Sequence, residues 1–168
     1  MSEAARLDDI DFALLESLAE HPQIGVLETS RRIHVARATV QARLRKLEEA
    51  GVIAGYQPHI DLAAAGFPVQ CFVQLQTVQG ELDKVAEDLA AIPGVLEAYA
   101  TTGASDVLCR VAAQSHQGLQ EALIEIGRSR FVSRSDSIVV LSAIIPFRTM
   151  PLLQTLDRRK AARAPRYR

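Results

Sequence analysis

The spacing of the hydrophobic residues changes part-way along the chain, and this change limits the possible folds more than any other feature. In the first 50 residues apolar side chains recur at helical spacing, as at Ile10, Leu14 and Leu18. From Pro68 the spacing becomes two, which is the period of a β-strand with one buried face. The 168-residue chain is therefore predicted to contain a helical N-terminal domain and a separate α+β domain.

Three helices are predicted in the N-terminal part. Asp8 is placed to cap the first helix, and Pro22 ends it. A shorter helix fits residues 26–33, and a third spans about residues 37–50. The buried stripe of the third helix is predicted to consist of Val40, Leu44 and Leu47.

The segment that follows these helices predicts a wing and a linker. Residues 52–56 form a short β-prone stretch that Gly55 interrupts, as in a wing hairpin. Small residues and prolines then predict a linker at residues 59–67. We therefore place a winged helix-turn-helix domain at residues 1–58 and a basic extension at residues 148–168.

Residues 68–147 have the predicted element order βαβ–βαβ. The first expected strand begins at residue 68, and the other three lie at 95–101, 106–113 and 137–146. The expected helices lie at 81–92 and 116–126. This order gives a ferredoxin-like sandwich, in which two helices cover one face of the sheet. The last strand is apolar on both faces, which predicts burial on both. A second subunit is therefore expected to cover the other face, so that the protein is a dimer.

The net charge of −1 conceals a basic surface in the N-terminal domain. Six of the seven basic residues among the first 60 lie between Glu28 and Glu48, with no acid among them. At 100° per residue, Ala38 and Ala42 lie at the centre of the outward face of the third helix. Small side chains there would let the helix enter the major groove of double-stranded DNA, which is about 12 Å wide.

The remaining positions on and near this face supply the predicted DNA contacts. Side chains expected to reach base edges are Thr39, Gln41, Arg43 and Arg45. Side chains expected to neutralise phosphates are Arg31, Arg32, Arg37 and Lys46. The alternative is a charged helix face that is simply solvated, and the spacing of the helices, the wing and the absence of acids disfavour it.

Several sequence segments resemble the Lrp/AsnC family of feast/famine regulators. The helix-turn-helix resemblance rests on LDDIDFALLESLAEHP and RLRKLEEAGVI, and that of the regulatory domain on IPGVLEAYATTGASDVLCRV and VSRSDSIVVLSAIIPF. The resemblance implies a RAM/ACT-like regulatory domain and DNA-binding dimers, which often assemble into tetramers or octamers. It also implies an amino acid or similar small-molecule effector bound between regulatory domains.

The resemblance places the effector site around one loop and the start of the last strand, at Gly103, Ala104, Ser105, Asp106, Ser135 and Ser137. Amides at a glycine turn suit a carboxylate, and Asp106 suits an ammonium group. In the alternative interpretation, Asp106 only satisfies local amides of a turn. Ser135 and Ser137 are then ordinary polar strand residues.

The chain departs from the family pattern at several positions. The usual Leu-Ala pair of the second helix is Thr29-Ser30, and the usual glycine of the turn is His34. Ala36 replaces the usual serine that caps the third helix, at a cost of about 1 kcal/mol. Ala104-Ser105 replaces the common acidic-aromatic pair of the effector loop, which predicts an altered or weakened ligand preference.

Other patterns argue against membrane, redox and catalytic roles. The sequence has no apolar run of about 20 residues and begins without a basic-then-apolar leader, so a cytoplasmic protein is expected. Cys71 and Cys109 lie in apolar runs and are expected to be buried and reduced. The four histidines form no metal or catalytic motif, so neither cofactor nor metal is expected.

Two other roles remain as alternatives at the sequence level. The first is an architectural DNA-binding protein without effector response, which the altered effector loop favours. The second is a haem-pathway enzyme on the same fold, such as the sirohaem-decarboxylating proteins, which need histidines near a large pocket. Independently of these roles, the terminal stretch DRRKAARAPRYR is expected to be a solvated end or, alternatively, an auxiliary nucleic-acid contact.

Overall fold

The computed structural model describes residues 6–156 and divides them into two units. Unit 1 comprises residues 6–59 and 146–156, and unit 2 comprises residues 60–145. The chain therefore leaves unit 1, forms unit 2 and returns to unit 1.

Unit 1 contains three consecutive helices, α1 (Asp9–Glu20), α2 (Val26–Arg32) and α3 (Arg37–Glu49). The predicted cap of α1 is confirmed: the Asp8 carboxylate accepts hydrogen bonds from the amides of Ile10 and Asp11. The Asp11 carboxylate in turn accepts from the Asp8 amide at 3.2 Å, which completes a capping box. The α3 stripe is also confirmed, since Val40 and Leu47 are buried and Leu44 packs against the same core.

The wing hairpin predicted at residues 52–56 is wrong, because these residues form no strand. The amides of Val52 and Ile53 instead donate to the carbonyl of Leu47, which closes the end of α3. Both side chains pack against the core of unit 1. The apolar character that suggested a strand is explained by this packing.

The turn between α2 and α3 contains His34, the one non-glycine residue with positive φ (55°) in the described part of the chain. An L-residue in this left-handed region costs about 1 kcal/mol relative to glycine. This explains why glycine is the usual residue at this position of the turn and why histidine there is strained.

We predict that His34→Gly raises the free energy of unfolding by about 1 kcal/mol, because it removes this strain. Urea unfolding followed by circular dichroism measures the change, with His34→Ala as the control that keeps a Cβ atom. A His34→Gly protein that is less stable than the wild type would contradict the prediction, since the entropy of the unfolded chain would then outweigh the strain.

Unit 2 is a four-stranded antiparallel sheet with the order β2-β3-β1-β4. Its strands are β1 (Val69–Thr77), β2 (Val95–Ala100), β3 (Val107–Ala113) and β4 (Val132–Val139), and its helices are α4 (Leu82–Ala90) and α5 (His116–Gly127). The order β1–α4–β2–β3–α5–β4 along the chain confirms the predicted ferredoxin-like arrangement.

One face of the sheet is packed against the helices and forms the core of unit 2. The alternation expected in β1 is confirmed, because Cys71, Val73 and Leu75 are fully buried between exposed residues. Cys109 of β3 is also buried, and both thiols are free. Burial raises the pKa of Cys109 to about 11, which keeps this thiol protonated and unreactive at neutral pH.

The last strand was predicted at residues 137–146, but β4 spans Val132–Val139. Its partner β1 begins at Val69, and the final bond of the ladder joins the Val140 amide to the Gln70 carbonyl. Residues beyond this point have no neighbouring strand in the described chain. The apolar side chains there are largely exposed, among them Leu141 (97%), Ile144 (92%) and Phe147 (88%).

A short helix, α6 (Met150–Leu153), lies in unit 1 and packs against α1. Leu153 contacts the core of unit 1, and Gln154 Nε2 donates to Glu16 Oε1 at 3.1 Å. The basic stretch DRRKAARAPRYR, residues 157–168, lies outside the described part of the chain.

Candidate nucleic-acid interface and effector site

The exposed face of α3 carries a row of long polar side chains four residues apart. Arg37, Gln41 and Arg45 are all exposed, and residues 6–156 provide no hydrogen bond or ion pair to any of these three side chains. Ala38 and Ala42 are exposed beside this row. We call these five residues the α3 face. It combines free cationic and amide donors with small residues that allow close approach.

Two predicted DNA contacts on α3 have another role in the structure. Arg43 Nη1 binds the carboxylates of Asp8 and Asp11, and Lys46 Nζ lies 2.9 Å from Asp11 Oδ2. The Asp11 side chain is fully buried, and that of Arg43 is only 24% exposed. These ion pairs join α3 to the start of α1, so both cations are engaged in holding the helices together.

The contacts within this cluster shift the pKa values of Asp8 and Arg43. Burial alone would raise the pKa of Asp8, but hydrogen bonds from the Asp11 amide and from Arg43 outweigh it and hold the pKa below its ordinary value of 3.8. Burial would lower the pKa of Arg43, but its bond to Asp8 and the charge of Asp11 raise it instead. The Asp8 carboxylate and the Arg43 guanidinium are therefore both charged at neutral pH.

The remaining predicted phosphate contacts and base-edge contact lie around the α3 face. Arg31 and Arg32 of α2 are exposed and pair with Glu28 at 3.5 Å and Glu20 at 2.8 Å, respectively. Thr39 is partly buried at the first turn of α3. Exposed ion pairs of this kind are weak, so both arginines can exchange their partners for phosphates.

The N-terminus of α3 has no side-chain cap. Ala36 occupies the capping position and, as expected from its methyl side chain, accepts no hydrogen bond from the first turn. The free amides of that turn carry the positive end of the helix dipole next to Arg37. This end of α3 therefore favours an anion.

The predicted effector loop connects β2 to β3 and is held by several hydrogen bonds. Gly103 has φ of 110°, where a side chain would be strained. The side-chain Nε2 of Gln76 donates to the Ala104 carbonyl at 3.0 Å, and the Thr101 hydroxyl donates to the Ser105 carbonyl at 2.8 Å. The loop is thus fixed in shape while Gly103 and Ala104 stay exposed.

Asp106 is exposed at the end of this loop, and one of its carboxylate oxygens is already used. Oδ2 accepts from the Thr77 amide at 2.7 Å and from the Thr77 hydroxyl at 3.3 Å. Asp106 therefore satisfies a nearby backbone amide, as in the alternative interpretation in which it has no binding role. Oδ1 accepts no hydrogen bond from residues 6–156, so one oxygen is available to a cationic ligand.

Ser135 lies on the other side of β1 from this loop, on the same sheet face as Leu75, which packs in the core against the helices. Ser135 pairs with Leu75, whose other partner is Val107, directly after Asp106. Two strand spacings therefore separate the Asp106 end of β3 from Ser135, about 10 Å. Ser137 lies opposite Val73, one pair further along, and both serines are exposed.

Both parts of the chain match known protein families. Residues 7–54 match the model of a winged helix-turn-helix DNA-binding family, and residues 70–150 match that of the Lrp/AsnC ligand binding domain. The HTH-type transcriptional regulator Rv2324 of Mycobacterium tuberculosis is 34% identical over 142 residues, which are 83% of this chain and 95% of that protein. The chain belongs to the Lrp/AsnC family.

Solved structures of the Lrp/AsnC family have the same fold. AsnC of E. coli superposes with a TM-score of 0.81 at 25% identity, over 88% of this chain and all of that one. A feast or famine regulatory protein of M. tuberculosis, complexed with L-methionine, superposes with a TM-score of 0.77 at 28% identity. That match covers 86% of this chain and 98% of the other. Family and fold class inferred from the sequence are therefore confirmed.

Two features of this Lrp/AsnC chain were missed by reasoning from the sequence. The first is the pairing of Asp8 and Asp11 with Arg43, whose signal is an acidic N-terminus to α1 opposite a basic α3. The second is the strand register on the open face of the sheet in unit 2, where Phe72 of β1 lies opposite Ile138 of β4. Alternation in β1 indicated that Phe72 faces outward, but the register with β4 could not be read from the sequence.

Within residues 6–156, no three His, Cys, Asp or Glu side chains are grouped so as to hold a metal ion. None of the helices in this range is long and apolar enough to cross a bilayer.

Proposed function

We propose that this protein is a transcription regulator that binds double-stranded DNA as a homodimer and responds to an amino acid or a similar small molecule. The observation that carries the proposal is the α3 face. In it, Arg37, Gln41 and Arg45 have no hydrogen bond or ion pair within residues 6–156 and lie beside two alanines. A helix with this face fits the major groove, where arginine recognises guanine and glutamine recognises adenine. The kinship with transcriptional regulators supports the same function.

The predicted DNA contacts divide into three groups in this proposal. Gln41 and Arg45 read base edges, with Thr39 at the margin and Ala38 and Ala42 against the groove floor. Phosphates are bound by Arg37, by the uncapped N-terminus of α3, and by Arg31 and Arg32. Arg43 and Lys46 hold α3 in position through Asp11 instead of binding DNA.

A homodimer is supported by the uncovered face of the sheet in unit 2. Phe72, Tyr99 and Ile138 are 37%, 55% and 54% exposed on this face, although large apolar side chains are normally buried. The exposed apolar residues of segment 140–147 follow directly after β4. A second copy of the sheet would cover this face. In the proposed dimer, the two α3 helices read half-sites about one helical turn apart. Tetramers or octamers can form from such dimers.

The effector site of the proposal consists of the loop Gly103–Asp106 with Ser135 and Ser137. Asp106 Oδ1 binds the ammonium group, and the amides of the glycine turn bind the carboxylate. Binding of L-methionine by a family member with a TM-score of 0.77 supports an amino-acid ligand. Ala104 and Ser105 replace the usual acidic-aromatic pair, so ligand preference differs from that pattern.

The proposed regulator acts in the cytoplasm, without a catalytic step and without a cofactor. Its relatives are transcriptional regulators, and it has no catalytic histidine motif in its sequence. The effector alters DNA binding or assembly, and linkage requires that DNA alters effector affinity by the same factor.

We predict that Arg45→Ala lowers affinity for the target DNA by about 10- to 100-fold, because it removes a base-edge contact. Fluorescence anisotropy is measured with a labelled duplex from upstream of the protein's own gene and with a scrambled duplex. Arg128→Ala serves as the control, since it removes one exposed cation from unit 2. The same titrations with pools of amino acids test the effector.

Each result of this experiment has a definite meaning. Selective binding that is lost in Arg45→Ala and kept in Arg128→Ala supports the regulator. Equal binding of both duplexes by the wild type would instead identify an architectural DNA-binding protein. No binding of either duplex at low salt by the folded protein would refute the proposal.

A further inference from the structure

Three polar side chains on adjacent strands form a row across one end of the sheet in unit 2. Gln76 of β1 lies opposite Arg134 of β4. The register between β1 and β3 pairs Leu75 with Val107, so the next position along places Asp106 opposite Gln76. We call Asp106, Gln76 and Arg134 the polar row. It runs from a carboxylate over an amide to a guanidinium, and its ends are two strand spacings apart, about 10 Å.

The polar row lies on the open face of the sheet. Side chains alternate between the two faces along a strand, so Gln76 and Arg134 share the face of Phe72 and Ile138. All three members of the row are exposed. Four residues along each strand separate the row from the Phe72–Ile138 pair, which is about 13 Å. The row therefore lies at the polar edge of the face that the proposed second copy would cover.

The centre of the polar row is attached to the effector loop. Gln76 Nε2 donates to the Ala104 carbonyl at 3.0 Å, and Asp106 Oδ2 accepts from the Thr77 amide at 2.7 Å. The two other oxygens, Asp106 Oδ1 and Gln76 Oε1, accept no hydrogen bond within residues 6–156. Two acceptors are therefore available to an ammonium group at the Asp106 end of the row.

The other end of the row is a guanidinium that Asp136 holds in place. Arg134 Nε lies 3.0 Å from Asp136 Oδ2, and Arg134 Nη2 donates to Asp136 Oδ1 at 3.1 Å. These contacts use one edge of the guanidinium, whereas Nη1 has no hydrogen bond or ion pair within residues 6–156. Arginine binds carboxylates through two parallel N–H donors. The edge formed by Nη1 and Nη2 is thus oriented and open to a second carboxylate.

We propose that the polar row selects an effector with two carboxylates, namely an amino acid with an acidic side chain. The inference rests on the proposed function, in which Asp106 binds the ammonium group and the amides of the glycine turn bind the α-carboxylate. Arg134 then binds the side-chain carboxylate. An extended glutamate separates its ammonium nitrogen from its side-chain carboxylate by about 6 Å. Two hydrogen bonds of about 2.8 Å extend this reach to about 12 Å, which is enough to bridge the row.

The surroundings of the row favour an acidic ligand over a neutral one. The loop residues 101–105, TTGAS, carry no charge, so they do not repel a second carboxylate. The uncharged Ala104 is bound to Gln76, the residue beside Arg134. Covering the guanidinium with an uncharged side chain would remove water without a new charged partner, whereas a carboxylate replaces the lost hydrogen bonds. Arg134 is therefore a specificity-determining residue of the effector site.

The test measures binding of amino acids to the full-length protein by isothermal titration calorimetry. The probes are L-glutamate and L-aspartate, their amides L-glutamine and L-asparagine, which have the same shape without the charge, and L-methionine. Arg134→Gln removes the cation, and Arg134→Lys keeps it without the paired donors. Arg130→Gln is the matched control, because Arg130 is also an exposed arginine of unit 2 but stacks on Phe131 at 4.7 Å. Circular dichroism and sedimentation velocity confirm that each variant keeps the fold and assembly of the wild type.

We expect the wild type to bind one of the two acidic amino acids about 10- to 100-fold more tightly than its amide, as for a charge-assisted hydrogen-bonded pair. Arg134→Gln should abolish this preference, Arg134→Lys should keep part of it, and Arg130→Gln should keep all of it. The acidic amino acid should also raise the Tm of the wild type, since it binds only the folded state, and it should raise that of Arg134→Gln much less.

The outcomes separate the failure of this inference from the failure of the proposed function. Binding of an amide or of methionine that is as tight as that of either acidic amino acid overturns the acidic class and leaves an amino-acid effector standing. A preference for the acid that persists in Arg134→Gln overturns the role of the polar row. If none of the five probes binds, the inference is overturned. If pools of the other amino acids also fail to bind, the effector part of the proposed function is overturned with it.

Discussion

Replacing Asp11 by asparagine is expected to lower the free energy of unfolding of unit 1 by about 3 kcal/mol. The Asp11 side chain is fully buried, and it binds both Arg43 and Lys46. Removing one charge of a buried ion pair leaves its partner desolvated and uncompensated, which typically costs 3–5 kcal/mol. The lower end applies here because Arg43 keeps its bond to Asp8.

Native-state hydrogen exchange at the amides of α1 and α3 measures this loss within unit 1 of the intact protein. Asp9→Asn is the matched control, since Asp9 lies in the same first turn but is exposed. Its change should stay below about 1 kcal/mol, the size of a helix-dipole effect. A double-mutant cycle with Arg43→Met should give a clear coupling energy. Additive effects would show that the ion pairs do not join α1 to α3.

The helical part of unit 1 could largely be predicted from sequence, because local signals agreed there with the final packing. Asp8 caps α1 as its position indicated, and the stripe of Val40 and Leu47 faces the core. The alternation in β1 likewise determined which face carries Cys71 and Val73. In each case, a short-range pattern alone determines which side of the element is buried.

The incorrect predictions concern side-chain contacts and strand ends that depend on residues distant in sequence. Arg43 lies next to the outward face of α3, but Asp8 and Asp11, more than 30 residues earlier, turn its side chain toward α1. The last strand ends at Val139 because β1 supplies no partner beyond Gln70. The apolar run after Val139 has the hydrophobicity of a buried strand. Hydrophobicity indicates that a segment is buried, but it does not show whether the same chain or a second copy covers it.

The effector site was the least predictable part. Sequence reasoning identified Asp106 but left open whether it binds a ligand or its own backbone. The structure shows one oxygen of the carboxylate bound to Thr77, a residue 29 positions earlier. Such a contact depends on the placement of β1 beside the loop, for which no local pattern exists.

Replacing Ile138 by aspartate is expected to convert the proposed dimer into monomers at micromolar concentration. Ile138 lies opposite Phe72 on the open face of the sheet, and both are partly exposed in the single chain. If a second sheet covers this face, the substitution buries an unpaired carboxylate at the interface. Loss of an apolar anchor together with a buried charge weakens such interfaces by two or more orders of magnitude.

Ile124→Asp is the control, because Ile124 is 51% exposed on α5, whereas Ile138 is 54% exposed on the sheet. Sedimentation velocity across a concentration series should show Ile138→Asp as a monomer and Ile124→Asp as a dimer. The monomer should also lose most of its affinity for a two-half-site duplex, because each α3 then binds without the second. A dimeric Ile138→Asp protein would show that the sheet face is not the interface. The segment 140–147 would then be the first place to look for the interface, since Leu141, Ile144 and Phe147 are largely exposed in the single chain.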